Sequence, residues 1–407
     1  MKKNYKISFF PKVFLNDKGE HILLTAGEVH LERCIRDLKE TYAGVDVVAS
    51  SPIVPFRETI VDPPKTDMVN EELNEDNKVI EEDCMEEKLV TMQTPNKQCS
   101  VSILAIPLPN EAIVLIEEQK DLLKAYTSGD GHGGNLTSES LLIFKEFQNK
   151  LDAIFNLNHH EELHNSANQI LAYGPRKTGP NIMINKSGNC SFKYETSLEN
   201  GFQLACLAGP LCEEPLMGCA FVLTDLNLDE SSEEINTNDI YGPLSGQIVS
   251  VVKESCRKAF QARPQRLMAA MYSCDIAVKA DVLGKMYAVL NKRQGKIVNE
   301  NMIEGSSMFT VTAHLPVIES FDFAAEIRKQ TSGLAMPQLV FSHWEIIDMD
   351  PFWIPQTEEE ILHYGEKADY ENPALRYMNE IRKRKGLAID EKIVEFAEKQ
   401  RTLTRSK

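Results

Sequence analysis

The sequence has no CxxC pair, no G-x-S-x-G nucleophile elbow and no complete phosphate-binding P-loop. No apolar run approaches the roughly 20 residues that a helix needs to cross a bilayer. Aromatics are scarce, at 7%, and there are two tryptophans. Bases are the minority charge, 44 against 61 acids, so the chain carries −17. A field of that sign repels polyphosphates, and any nucleic-acid contact has to be local. The start, MKKNYKISFFPKVF, is basic, but its apolar stretch is short and stops at Pro11. It has neither the apolar core nor the small-residue cleavage site of a secretory signal. Nine scattered cysteines are then expected to be reduced thiols of the cytosol or nucleus, with the sequons at Asn135, Asn185 and Asn189 unused.

What is present is a chain of 407 residues with 42% hydrophobic content, enough for two to four domains. KVFLN, the turn Asp17-Lys18-Gly19 and HILLT read as a hairpin. GEVHLERCIRDLKETY follows with helical spacing, Gly44 is a stop signal, and Val45 to Val48 read as a further short strand. The order β-β-α-β is an incomplete ferredoxin-like unit, so the chain is expected to begin inside a domain.

Between 62 and 88 stand eleven acids and three lysines, and 225–240 holds six acids and no base. Both read as solvated acidic loops, spanning 62–92 and 224–240. VSILAIPLP reads as a strand ending at prolines, 127–138 as a Gly-rich loop and 138–155 as a helix. A helix over 244–260 leads to the boundary Arg263-Pro264. Beyond it, LMAAMYSCDIAV, a helix over 281–292 with Asp281 as N-cap and Gly295 as closing residue, KIVNENMI, MFTVTAHLPV, a helix over 319–330 and LVFSHWEII make a whole βαββαβ unit. The rest, 357–402, reads as helices, and 376–407 has ten bases against five acids. The fold class is α+β, with expected divisions 1–49, 50–262, 263–350 and a helical extension 351–407.

His160-Glu161-Glu162-Leu163-His164 is a literal H-E-x-x-H. On an α-helix its imidazoles share a face and can bind zinc, with the glutamate between them as general base. A third ligand would be needed, and Glu195 or Glu213 lie downstream without a motif of their own. The polar flanks favour a solvated helix face, with a zinc hydrolase as the weaker reading. Gly174 and Gly179 have P-loop spacing, but Pro180-Asn181 stand where Lys-[Ser/Thr] would be required. Asp281-Val-Leu-Gly284 and Asn185-Lys186-Ser-Gly echo GTPase loops in the wrong order. Gly-rich 129–135 has no strand leading tightly into it. Arg382-Lys383-Arg384-Lys385 divides evenly between a solvated helix face and a phosphate-contacting patch for RNA.

TAGEVHLERCIRDLKETYAGV with SSPIVPFRETI resembles the third-to-fourth domain passage of elongation factor 2-type translational GTPases. YGPRKTGPNIMIN, GFQLACLAGPLCEEPLMG and RPQRLMAAMYSCDI resemble their fourth domain, which is ribosomal-protein-S5-like. YAVLNKRQGKIV, LPVIESFDFAAEIRKQTSGLAMPQLVFSHWEI and DPFW are similar to their ferredoxin-like fifth. TPNK at 94–97, CEEPLMG at 212–218, QRLMAAMY at 265–272 and the ending RKRKGLAIDEKIVEFAEKQRTL are closest to the branch that matures large ribosomal subunits.

The resemblance implies a ribosome-binding, non-catalytic portion that acts with the Shwachman–Bodian–Diamond syndrome protein on cytoplasmic pre-large subunits and promotes release of translation initiation factor 6. GTP and Mg2+ would belong to an N-terminal domain outside this chain, and no cofactor, metal or DNA is expected on it. The fourth-domain tip would face the ribosome through Tyr241, Gly242, Pro243, Ser245 and Gly246. The translocase branch carries there a histidine modified to diphthamide, whereas no histidine occurs here between 165 and 313. That departure argues against mRNA–tRNA translocation, which stays as the alternative.

Overall fold

A computed structural model describes residues 12–15, 19–25, 27–62, 89–127, 138–158, 160–187, 194–228, 242–303, 305, 307–353, 362 and 372–389. Most of both acidic stretches, the Gly-rich loop, Tyr241 and the end of the chain lie outside the described residues; the expected loop bounds 62–92 and 224–240 are too wide, because 90–92 and 224–228 pair into strands.

In chain order the elements begin with strands β1 (Lys12–Leu15) and β2 (His21–Leu24), helix α1 (Glu28–Asp37) and strand β3 (Phe56–Ile60). Next come β4 (Val90–Gln93), β5 (Cys99–Pro107), α2 (Asn110–Glu118), α3 (Lys120–Thr127) and α4 (Ser138–Asn156). They are followed by β6 (Ile170–Gly174), β7 (Asn181–Asn185), α5 (Glu195–Leu207), β8 (Cys219–Leu228) and α6 (Leu244–Gln261). The series ends with β9 (Gln265–Lys279), α7 (Leu283–Lys292), β10 (Lys296–Met302), β11 (Met308–Pro316), α8 (Phe323–Gln330), β12 (Ala335–Ile346) and α9 (Pro373–Lys385). The chain divides into two compact units: 1–55 with 270–343, and 56–269 with 344–407.

In the first unit the sheet order is β10-β11-β9-β12, and the βαββαβ series expected after residue 263 is present. Cys274, Ile276 and Val278 alternate on one face of β9 and meet Met286, Leu290, Phe323 and Ile327 of the two helices. On the opposite face of β9, Thr312 of β11 donates to Asp275 at 2.8 Å. The β1–β2 hairpin forms with Lys12 opposite Leu24. Residues 45–50 make no strand, against expectation, because a strand needs a ladder partner and none stands beside them among the described residues.

Three helix-end expectations also change. Asp281 caps nothing: it lies in a 3-10 turn, Ala280–Val282, and α7 starts after it. Gly295 follows Gln294, which takes the left-handed φ of 56°, while the Gly295 N–H returns to the Leu290 carbonyl at 2.9 Å. The next helix begins at Phe323, after a 3-10 turn over Val317–Glu319.

The second unit is a sheet of order β4-β5-β8-β7-β6 with helices over both faces. β7 and β8 are parallel, and the other pairs are antiparallel. Val101, Ile103 and Ala105 face α5 and α6, while Leu104 and Ile106 face α2, α3 and α4. That double burial is why 103–107 reads as a continuous apolar run, whereas Ser100 and Ser102 alternate with apolar residues at the start of the strand. β3 pairs antiparallel with the first five residues of β9, Phe56 opposite Ala269. α9 has the punctuation of a strong helix. The Asn372 side chain accepts from the Ala374 and Leu375 N–H groups, Pro373 opens the first turn, and Gly386 closes it at φ 73°.

Candidate functional site

A buried polar cluster lies in the second unit, around β3. Strand alternation would leave Glu58 in an apolar interior, since it is fully buried. It is satisfied by a tight loop 150 residues on. Oε2 accepts from the Leu211 N–H at 2.9 Å. Oε1 accepts from Cys212 at 2.8 Å and from Glu214 at 2.9 Å. Desolvation raises the Glu58 carboxyl to about 7; the three N–H donors oppose that rise, and the nearby charge of Glu214 adds to it. The backbone of β3 joins in, with Met217 N donating to the Glu58 carbonyl at 2.9 Å.

Three inward N–H groups leave loop carbonyls free to accept from α9. Arg382 Nε donates to the Leu211 carbonyl at 2.9 Å, and Lys385 Nζ to the Glu213 carbonyl at 2.7 Å. Lys385 also pairs with Glu214 at 2.8 Å, and Arg384 stands 3.9 Å from it. Ala374, Tyr377, Met378 and Ile381 form the buried stripe of the helix at i, i+3, i+4 and i+7 spacing, with Tyr377 against Phe56 at 5.7 Å.

The four bases singled out from sequence are thus unequal. Arg382 and Lys385 bind the 209–214 loop and Arg384 leans toward it. Lys383 is exposed and has no partner among the described residues. Nothing in the sequence near 382 announces a partner at 211, and Glu58 was missed for the same reason. The only available signal was an acid at position 58 between Phe56 and Ile60, on the apolar face of an alternating strand.

The expected tip residues gather at the start of α6. Gly242 has φ 78°, Pro243 precedes the helix, and Ser245 and Gly246 are exposed on its first turn. Gln247 is buried and donates to the Gly242 carbonyl at 2.9 Å, tying the entry down. An open hollow of about 340 Å3 lies alongside, lined by Gln93, Pro95, Gly246, Gln247, Ser250 and Glu254 among others. Tyr241 lies outside the described residues.

HEELH does not form the α-helix that its zinc reading requires. Only Glu161–Leu163 is helical, as a 3-10 turn, with His160 and His164 extended on either side. The imidazoles have separate partners. His160 Nε2 lies 3.1 Å from Asp62, and His164 Nε2 lies 2.9 Å from the Asn158 carbonyl. Leu163 is buried between them in sequence, so the segment is pinned as a core turn. Among the described residues neither histidine belongs to a group of three metal-ligating side chains.

Gly174 and Gly179 bracket a strand-to-strand turn between β6 and β7, not the strand-to-helix loop of a nucleotide site. The Asn185 side chain accepts from the Ser187 N–H and hydroxyl at 3.1 and 2.9 Å. No described helix is long and apolar enough to cross a membrane.

Residues 266–353 match the family described as elongation factor G C-terminus, and residues 104–186 match the elongation factor-like GTPase 1-like domain. The human protein named elongation factor-like GTPase 1 is 45% identical over 479 aligned residues, covering 97% of this chain and 42% of that protein. Ribosome assembly protein 1 of Saccharomyces cerevisiae is 38% identical over 413 residues, covering 97% of this chain and 36% of that protein. That of Schizosaccharomyces pombe is 38% identical over 417, covering 96% and 40%. The chain therefore spans about two-fifths of the length of the curated relatives it matches.

Proposed function

We propose, from this chain's homology over 97% of its length to elongation factor-like GTPase 1, that it is the ribosome-engaging portion of a translational-GTPase-like ribosome assembly factor. The carrying observation is that breadth of match, together with the name ribosome assembly protein 1 on the yeast relatives. In this reading residues 1–49 end a third domain and 50–262 are an S5-like fourth domain. Residues 263–350 are a ferredoxin-like fifth domain, and 351–407 extend it with helices.

The substrate is a cytoplasmic pre-large ribosomal subunit, and the outcome is release of translation initiation factor 6, in concert with the Shwachman–Bodian–Diamond syndrome protein. GTP and Mg2+ act in a GTPase domain elsewhere, whose nucleotide state biases the orientation of these domains as rigid bodies. The start of α6, at Gly242, Pro243, Ser245 and Gly246, with Tyr241 before it, is the ribosome-facing end. Small residues there let the backbone approach RNA closely. Lys383 supplies a second RNA contact.

The test is co-sedimentation of the purified chain with large ribosomal subunits at low salt. Stoichiometric pelleting is expected; absence of binding sinks the reading. The alternative, an elongation factor 2-type translocase relative, predicts tRNA–mRNA movement in a reconstituted system containing the complete factor. The histidine-free stretch between 165 and 313 weighs against it.

A further inference from the structure

The turn between β6 and β7 is built in a conformation that its own residues disfavour. Arg176 and Lys177 occupy consecutive left-handed positions, at φ 58° and 61°, and the Thr178 N–H closes back on the Pro175 carbonyl at 3.4 Å. Positive φ at both central residues is the signature of a type I′ turn, which Asn-Gly fits with little strain. A long side chain is disfavoured at each such position, because its Cβ crowds the following carbonyl oxygen.

The surroundings enforce the turn. Asn181, fully buried, donates to the Gly174 carbonyl at 3.1 Å and the Leu216 carbonyl at 2.8 Å, and accepts from Cys219 N at 3.0 Å. Gln203 bridges both sides: it accepts from Lys177 N at 3.2 Å and donates to the Tyr173 carbonyl at 2.6 Å. Position 179 must be glycine, because a Cβ there would lie 2.2 Å from the Gly174 carbonyl oxygen.

A strained, rigidly held tip thus presents two exposed cations. Lys177 is braced by Glu199 at 3.0 Å, while Arg176 has no ion pair among the described residues. Burial lowers the pKa of Arg57, whose guanidinium lies 5.0 Å over the Trp344 ring; Glu117 and Glu214 oppose that effect and the charge of Arg176 adds to it.

We infer that Arg176 and Lys177 form a phosphate-gripping fingertip, with Arg176 as the principal contact, that takes the RNA backbone of the large subunit. This deepens the ribosome reading and rests on it. In a chain of −17, contact with RNA needs a local and immobile cationic point. Arginine's planar fork suits a phosphodiester, and a preset backbone lowers the ordering cost of binding.

The test is the double substitution Arg176→Asn with Lys177→Gly in the full chain. Its binding to purified large subunits and to protein-free large-subunit RNA is measured between 50 and 200 mM salt. The turn should relax, so the melting temperature should hold or rise. Affinity for both probes should fall about fivefold or more at low salt, with a log–log salt slope shallower by about 1 to 2.

Unchanged affinity and slope on both probes would overturn the inference. So would a lowered melting temperature, because the turn would then not be strained. Loss on subunits alone, with RNA binding intact, would replace the RNA backbone by an acidic ribosomal protein. Failure of the wild-type chain to bind subunits would count against the ribosome reading; the wild-type–variant difference on free RNA would still decide the fingertip.

Discussion

The carboxylate of Glu58 occupies the space that a side chain at position 209 would need: a Cβ on Gly209 would sit 2.2 Å from Oε2 and 2.5 Å from Cδ. One buried acid and one glycine, far apart in sequence, are therefore a single packing unit. Gly209→Ala must either push Glu58 off its three N–H donors or open the loop. The expected loss is about 2–4 kcal/mol, the range for breaking a buried polar network. Urea unfolding followed by tryptophan fluorescence measures it, and a change under 0.5 kcal/mol, as an order-of-magnitude floor, would contradict the packing described.

The same carboxyl makes stability depend on pH. Its folded-state value is about 7 against an ordinary 4.5, so the folded chain holds this proton more tightly than the unfolded one. As pH rises from about 4.5 to about 7, stability falls, by about 3 kcal/mol at most, and it is level outside that window. The readout is wild type minus Glu58→Gln, which removes the titration. Glutamine is itself costly, because its NH2 group faces backbone N–H groups. The difference should shrink as pH rises through the window, and a flat difference between pH 5 and 8 would be the contrary result.

The basic end of α9 should separate into structural and binding charges. Arg382→Ala combined with Lys385→Ala is expected to lower the melting temperature and to speed amide exchange over 373–385. Lys383→Ala should leave both unchanged and weaken only subunit binding, with a salt slope shallower by about 1. Tyr377→Ala, which empties the contact with Phe56, should cost about 3 kcal/mol. Equal effects of the three basic substitutions on melting would refute the division.

The extended settings of His160 and His164 predict that this segment is indifferent to metal. His160→Ala and His164→Ala should leave the zinc content of the purified protein, by elemental analysis, unchanged. His160→Ala should act only through the lost contact with Asp62. Zinc at one equivalent, removed by His164→Ala, would reinstate the hydrolase reading.

Much of the architecture is written locally. The doubly apolar runs 103–107 and 219–223, the βαββαβ series after 263, and the helix bounded by Asn372-Pro373 and Gly386 all carry their own periodicity and punctuation. Signals that need a partner failed. Val45 to Val48 had the composition of a strand but no ladder, Asp281 had the chemistry of a cap but the wrong turn, and H-E-x-x-H had the letters without the helix. Arg176-Lys177 went unnoticed because neither residue type is usual in a left-handed turn.

What the sequence determined by itself is that its long periodic segments fold as helix or strand, which faces those segments bury, and the kinship that makes a ribosomal role the leading proposal. Only the tertiary structure decided that Glu58 is clamped by 211–214, that Arg382 and Lys385 bind that loop, and that Lys383 and Arg176 remain exposed. The reason is range. Propensity and periodicity act within a few residues, whereas the partner of a buried charge is set by where a distant stretch of backbone turns its N–H groups.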